Sequence, residues 1–291
     1  MSTATAVRPQ KTPLEIVKSV SAIATLPEVT NRIIATVEDP KSSASQLNKI
    51  VSHDPALVTR ILKVVNSAFY GLSGQVGSIE RAIVLLGLNA VKNIAVAASL
   101  GQLFRGAKLG KQFTAKDIWT HCLAVGVTAR DLAIRMKLPL GDEAFLSGMI
   151  HDVGIMISLQ TTPELLRQVC DNATADPTAD FCQLEKSLIG TDHQELGMAL
   201  AEHWRFPRPC QVVAGYHHRP AELDDPNRML VNILHVADTI CCHSTHGFSL
   251  TARNQTLEPG NLESLQISPD VVSQTQANLD ALVATTAGML A

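Results

Sequence analysis

Residues 148–156 read GMIHDVGIM, which sets a histidine and an aspartate side by side in an apolar run. Ionisable side chains sink into such surroundings only when something pairs with them. His151-Asp152 is therefore a candidate pair of metal ligands. It could grip one cation from the side, or two adjacent cations if the carboxylate bridges. Taken alone, it also reads as a polar pair on a helix, its members roughly 100° apart.

The histidines widen the search. Of ten, only His53 precedes residue 120, and the other nine lie between His121 and His246. Metal sites need His and carboxylate donors that converge, each oriented by a further partner. His121 sits in WTHCLAVGV and shares a helix face with Asp117; a packed core histidine is the alternative. His193 stands at a predicted helix start, where the dipole disfavours an imidazolium and leaves a neutral ring able to ligate. The alternative there is a solvated residue of the capping region. His217-His218 end a short helix before Arg219-Pro220, a placement that suits ligands and surfaces alike. Asp238 lies in ILHVADTICC, an apolar helix where a carboxylate needs a metal, a histidine or backbone beside it. His235, on the same face, reads as a supporting or packed residue. The order His…His-Asp…His…His-His…Asp is more specific than any member.

Helices must carry these residues. The chain has 291 residues, 46% hydrophobic and only 4% aromatic, enough to bury a sizeable core of closely packed helices. Leu, Ile, Val and Ala recur at helical spacing, and no run alternates as a strand does, so the fold class is all-α. Residues 1–11 read as a disordered tail. Pro13 opens a helix to about Ala24, and Pro27 opens one ending near Asp39-Pro40. Asp54-Pro55 caps and starts ALVTRILKVVNSA. Ser78 starts a helix to Leu86-Gly87, and Asn89 another to Phe104. GAKLGK, residues 106–111, divides two lobes. Beyond it, helices are predicted over 117–137, 142–160, 163–172 and 178–189. A Thr191/Gln194 capping box starts the next, to Trp204; two more run from Pro209 to Tyr216 and over 227–242. Residues 246–260 are loop-like. Ser268-Pro269 begins an amphipathic helix that either packs on the domain or forms a homodimer contact.

Composition excludes several classes. The formal charge is −3, from Lys+Arg 24 and Asp+Glu 27, and no basic block points to nucleic acid. The start MSTATAVRPQKTP lacks the apolar core of a secretory signal, and Ile94 to Leu100 is too short to span a bilayer. The expected location is cytoplasmic, without membrane partners. Six cysteines, none in a CxxC pair, read as reduced and mostly buried thiols. Gly71, Gly74 and Gly77 lack P-loop or Rossmann context, and Ser67 and Cys122 have no evident activating base. IVLLGLNAVKNIA has a faint helix-hairpin-helix look, but only Arg81 and Lys92 are basic nearby, so a packed corner is the better reading.

The ligand order, with the long helices, resembles the HD superfamily of metal-dependent phosphohydrolases. The resemblance implies that His121, His151, Asp152 and Asp238 hold one metal. In the two-metal branch, His193 and His217 or His218 would hold a second. The whole chain looks more like a narrower family, the HDOD domain proteins. LPEVTNRII, VSHDPALVTRILKVVNSAFYG and GSIERAIVLLGLNAVKNIAV carry that likeness, followed by GMIHDVG, DHQELGMALAEHW and VVAGYHH. It implies an HD-like helical bundle with an additional N-terminal helical lobe. The domain would span 12–245, with lobes 12–108 and 109–245, and leave 246–291 as a loop and C-terminal helix.

HDOD proteins are associated with bacterial signalling and regulation, and most have lost part of the metal constellation. The related cyclic-di-GMP phosphodiesterases follow their HD motif with a lysine, where this chain has Ile155, and their GYP segment is replaced here by HHRPAELDD. The expectation is a signalling module that works mainly through protein–protein interaction, with partners in two-component or cyclic-dinucleotide pathways. It would retain a site for one or two divalent ions: iron, manganese, zinc or nickel. The alternative is a metal-dependent phosphohydrolase or phosphodiesterase, with Asp152 bridging two ions that activate water and polarise a phosphoryl oxygen.

Overall fold

Caps written into the sequence start many of the helices. The side chains of Ser43, Asp54, Ser78, Asp180 and Asp192 each accept a backbone N–H three residues on. The computed structural model describes residues 11–20, 28–39, 41–67, 69–104 and 108–286. The expected tail, apart from Lys11, lies outside the described residues. So do 21–27, where the first predicted helix was to end and the second to begin, and 105–107 at the lobe boundary.

The helices are α1 (Pro13–Lys18), α2 (Glu28–Glu38), α3 (Ala44–Val51), α4 (Pro55–Val65), α5 (Ile79–Leu86) and α6 (Leu88–Leu100). A two-residue hairpin follows, β1 (Lys108–Leu109) antiparallel to β2 (Phe113–Thr114). Then come α7 (Ala115–Arg135), α8 (Gly141–Ile150), α9 (Val153–Thr161), α10 (Pro163–Ala175) and α11 (Phe181–Leu188). The chain continues through α12 (His193–His203), α13 (Arg208–Tyr216), α14 (Arg228–Cys242), α15 (Pro259–Ser264) and α16 (Pro269–Thr286). The all-α expectation holds. No helix among the described residues is long and apolar enough to cross a membrane.

Helix α6 joins the two halves. Ala90 through Leu100 are all buried, because α6 packs on α2, α4 and α5 and also on α8. One apolar core therefore runs from Ile33 and Leu57 through Ile94 to Phe145 and Phe248. Each such side chain contributes about 1.5–3 kcal/mol on burial. A second cluster joins α7, α13 and α14 to the C-terminal helices through Leu132, Val213, Leu234 and Leu279. Helix α1 lies against α12 and α9. Lys92 is buried in the corner after Gly87 and donates to Ser42 Oγ, so it presents no charge outward.

Small residues set the spacing where the candidate ligands emerge. A Cβ on Gly148 of α8 would sit 2.5 Å from Gly126 Cα of α7, and one on Gly154 of α9 would sit 1.9 Å from the His193 carbonyl of α12. Backbones can approach this closely only where no side chain stands between them.

The structure differs from the sequence reading at several helix ends: α1 stops at Lys18, not near Ala24, and α15 forms over Pro259–Ser264, where no helix was predicted. The predicted helix over 142–160 is broken: α8 ends at Ile150, Asp152 caps α9 with φ −96° and ψ 14°, and His151-Asp152 forms the joint. The start of α12 is capped by Asp192, not Thr191. Asp192 accepts from Glu195 N at 2.8 Å, and Thr191 Oγ1 instead donates to Glu195 Oε2.

Candidate metal centre

Five elements deliver the candidate ligands to one place. His121 comes from mid-α7, His151-Asp152 from the α8–α9 joint, and His193 from the first position of α12. His217-His218 follow α13, and Asp238 comes from α14. His121, His151, Asp152, His193, His217 and Asp238 are fully buried, and the His218 side chain is 5% exposed.

The two oxygens of Asp152 divide the cluster. Oδ2 lies 3.6 Å from His121 Nε2 and 3.3 Å from His151 Nε2. Those two nitrogens lie 3.0 and 3.7 Å from Asp238 Oδ1, which closes a four-membered ring of donors. Oδ1 of Asp152 faces the other way, 3.5 Å from His193 Nε2 and 3.4 Å from His217 Nε2, with His218 completing that group. Ligand bonds of about 2.1 Å set neighbouring donors about 3.0–3.4 Å apart around an ion, close to these spacings.

Hydrogen bonds fix three of the rings. Backbone carbonyls and a carboxylate only accept, so the nitrogen facing each must carry the proton. His151 Nδ1 donates to the Gly148 carbonyl at 2.8 Å, His217 Nδ1 to the Val213 carbonyl at 3.0 Å, and His193 Nδ1 to Glu185 Oε2 at 2.6 Å. Each bond turns Nε2 inward, where it has no hydrogen-bond partner. His121 Nε2, both Asp152 oxygens, His218 Nε2 and Asp238 Oδ2 are likewise buried without one. Unpaired polar atoms are costly in an interior, and so many converging on one point fit a divalent metal site. His235 Nδ1 donates to the His217 carbonyl at 2.7 Å, which gives it the supporting place expected of it.

Charges inside the cluster set its protonation. Burial would raise the Asp152 and Asp238 carboxyls, yet the surrounding histidines hold both well below the usual carboxylate range. Burial opposes charge on His151, but Asp152 holds it well above its ordinary value. His193 also differs from the helix-dipole expectation of a neutral ring: burial lowers it, but the Glu185 carboxylate carries it up to about 9. Burial lowers His217 and His218.

Sequence reasoning missed Glu185. It is fully buried on α11 and receives both the backbone N–H and the ring N–H of His193. Its available signal was a glutamate on the inward face of FCQLEKSL, alongside Phe181. Asp117, paired with His121 on the sequence, faces away from the cluster and closes the capping box of α7 with Thr114. Ile155 is buried in the core and offers an aliphatic side chain with no charge for a phosphate. A polar cavity of about 210 Å³ meets the centre at His218, lined also by Lys186, Gln194, Arg219, Asn254 and Gln255.

The HDOD domain family model matches residues 23–220. The chain belongs to the HDOD domain family. Two solved structures resemble nearly all of it at a TM-score of 0.74 and 22% identity. One is a proposed phosphohydrolase from Shewanella amazonensis SB2B, covering 96% of this chain and 98% of that one. The other is a proposed signal-transduction protein from Marinobacter aquaeolei VT8, covering 98% of this chain and 63% of that one. An uncharacterised protein of Treponema pallidum (strain Nichols) is 25% identical over 228 residues, 77% of this HDOD chain but only 43% of the relative's length. The family match ends before Asp238 and before the segment that follows α14.

Proposed function

We propose that this HDOD protein is a metal-dependent phosphohydrolase acting on small phosphoesters. The observation that carries the reading is Asp152, whose two oxygens face separate sets of donors. Divalent ions held there supply an acidified water and polarise a phosphoryl oxygen. Asp152 would bridge; His121, His151 and Asp238 would hold one ion, and His193, His217 and His218 the other. Iron, manganese, zinc and nickel all suit His and carboxylate ligands. The Nδ1 bonds of His151, His193 and His217 keep the rings oriented without reorganisation. Lys186 and Arg219 on the cavity wall would meet phosphoryl oxygens, a task Ile155 cannot perform. At about 210 Å³ the cavity is smaller than most ligand sites, which favours a compact phosphoester over a cyclic dinucleotide.

The test is elemental analysis of untagged protein beside Asp152→Ala, then assays with p-nitrophenyl phosphate, bis(p-nitrophenyl) phosphate and a cyclic dinucleotide. Metal in the parent, almost none in the variant, and turnover of the small esters are expected. Near-zero metal in both proteins would sink the reading.

A second reading, a bacterial signalling module binding proteins of a two-component or cyclic-dinucleotide pathway, rests on α5. There Val84 is 73% exposed and Leu85 43%. Val84→Glu should then abolish capture of such a partner while Asp152→Ala leaves it intact; capture unaffected by Val84→Glu counts against that surface.

A further inference from the structure

The segment between α14 and α15, residues 243–258, lies beyond the family match, yet it packs onto the metal-site helices. Gly247, at φ +80°, presses on α7 beside His121: a Cβ there would sit 2.6 Å from the Asp117 carbonyl and from His121 N. Phe248 N donates to the Asp117 carbonyl at 3.0 Å, and its ring packs against Phe113 and Phe181. Thr251 Oγ1 lies 3.5 Å from Cys242 Sγ. The strap then brings Gln255 to the ring of His218, 2.8 Å from Nδ1.

The Gln255 amide can face that ring in two orientations, and they differ in how many protons find an acceptor. Thr239 Oγ1 has one proton and two oxygens in reach, the His235 carbonyl at 2.8 Å and the Gln255 amide at 3.0 Å. With the amide nitrogen toward His218, Nδ1 must accept, and the His218 proton sits on Nε2, buried with no partner. Turning the amide by 180° gives each of these contacts one donor and one acceptor: Thr239 to the His235 carbonyl, one Gln255 N–H to Thr239 Oγ1, and His218 Nδ1 to Gln255 Oε1. His218 then follows His151, His193 and His217, each of which donates from Nδ1 and turns its Nε2 toward the cluster.

We propose that Gln255 is a positioning residue that sets the metal-binding tautomer of His218, so that the strap completes the second ion's ligand set. The inference rests on the metal-centre reading, and one arm of its test does not depend on metal. In the metal-free full chain, ¹⁵N NMR of His218 should show the proton on Nδ1; a proton on Nε2 would overturn the proposal. In metal titrations, Gln255→Leu, which cannot accept, should weaken the second ion about 10–100-fold and leave the first unchanged. Gln255→Glu, which can accept, should restore it. Equal binding of both ions by the parent and Gln255→Leu would also overturn the proposal. If the parent binds no metal, the phosphohydrolase reading fails and the NMR result alone decides the role of Gln255.

Discussion

The contact between His193 and Glu185 shows how one unshared carboxylate shapes the centre. Glu185 binds the first residue of α12 through both its backbone and its ring, fixing where Nε2 points and raising the basicity of the imidazole. Glu185→Gln keeps the volume and removes the charge. It should weaken binding of the ion at His193 by about 10–100-fold, measured by metal titration, with little change in the ion at His121. The sequence showed the candidate ligands because their types are rare in apolar helices. It did not show Glu185, because a glutamate in a short amphipathic helix reads as solvent-facing until the packing of α11 is known. His218 is a similar case: tandem histidines suit a surface and a ligand pair equally, and burial separates the two.

At the scale of elements, the decisive feature is the break between α8 and α9. The apolar pattern from Asp142 to Gln160 is continuous, so periodicity alone extends one helix through His151-Asp152. The break arises because the two halves pack in different directions: α8 lies on α7 at Gly126, and α9 lies on α12 at His193. Gly154→Ala would drive a methyl into the His193 carbonyl and Gly197 N. We expect a cost of about 1–3 kcal/mol, seen as a Tm lower by several degrees, together with weaker metal binding as α12 is pushed away. Val84→Glu on exposed α5 should instead change stability by less than about 0.5 kcal/mol in the same measurement.

At the scale of the whole molecule, the centre ties together segments distant in sequence. His121, Asp152, His193, His217 and Asp238 come from five elements, so ions that bind only the folded chain should stabilise all of it. An ion at a hundredfold excess over its Kd contributes about 2.7 kcal/mol per site. Adding the preferred ion should therefore raise Tm by several degrees, and Asp152→Ala should remove the shift. An equal shift in that variant would place the stabilising ion elsewhere. The described helices before and after residues 105–107 share one apolar core through α6, so they are expected to unfold together.

The sequence by itself determined the helical class, most helix starts and the identity of the seven candidate ligands. Periodicity, caps and the rarity of buried His and Asp are local properties. The tertiary structure decided what depends on distance. It placed His151-Asp152 at a joint, split the two oxygens of Asp152 between two donor sets, and brought Glu185 and Gln255 behind two of the rings. Those relations arise from glycine-spaced helix contacts and from a strap that returns across α7; Asp152 meets His217, and His218 meets Gln255, across stretches of chain that no local pattern spans.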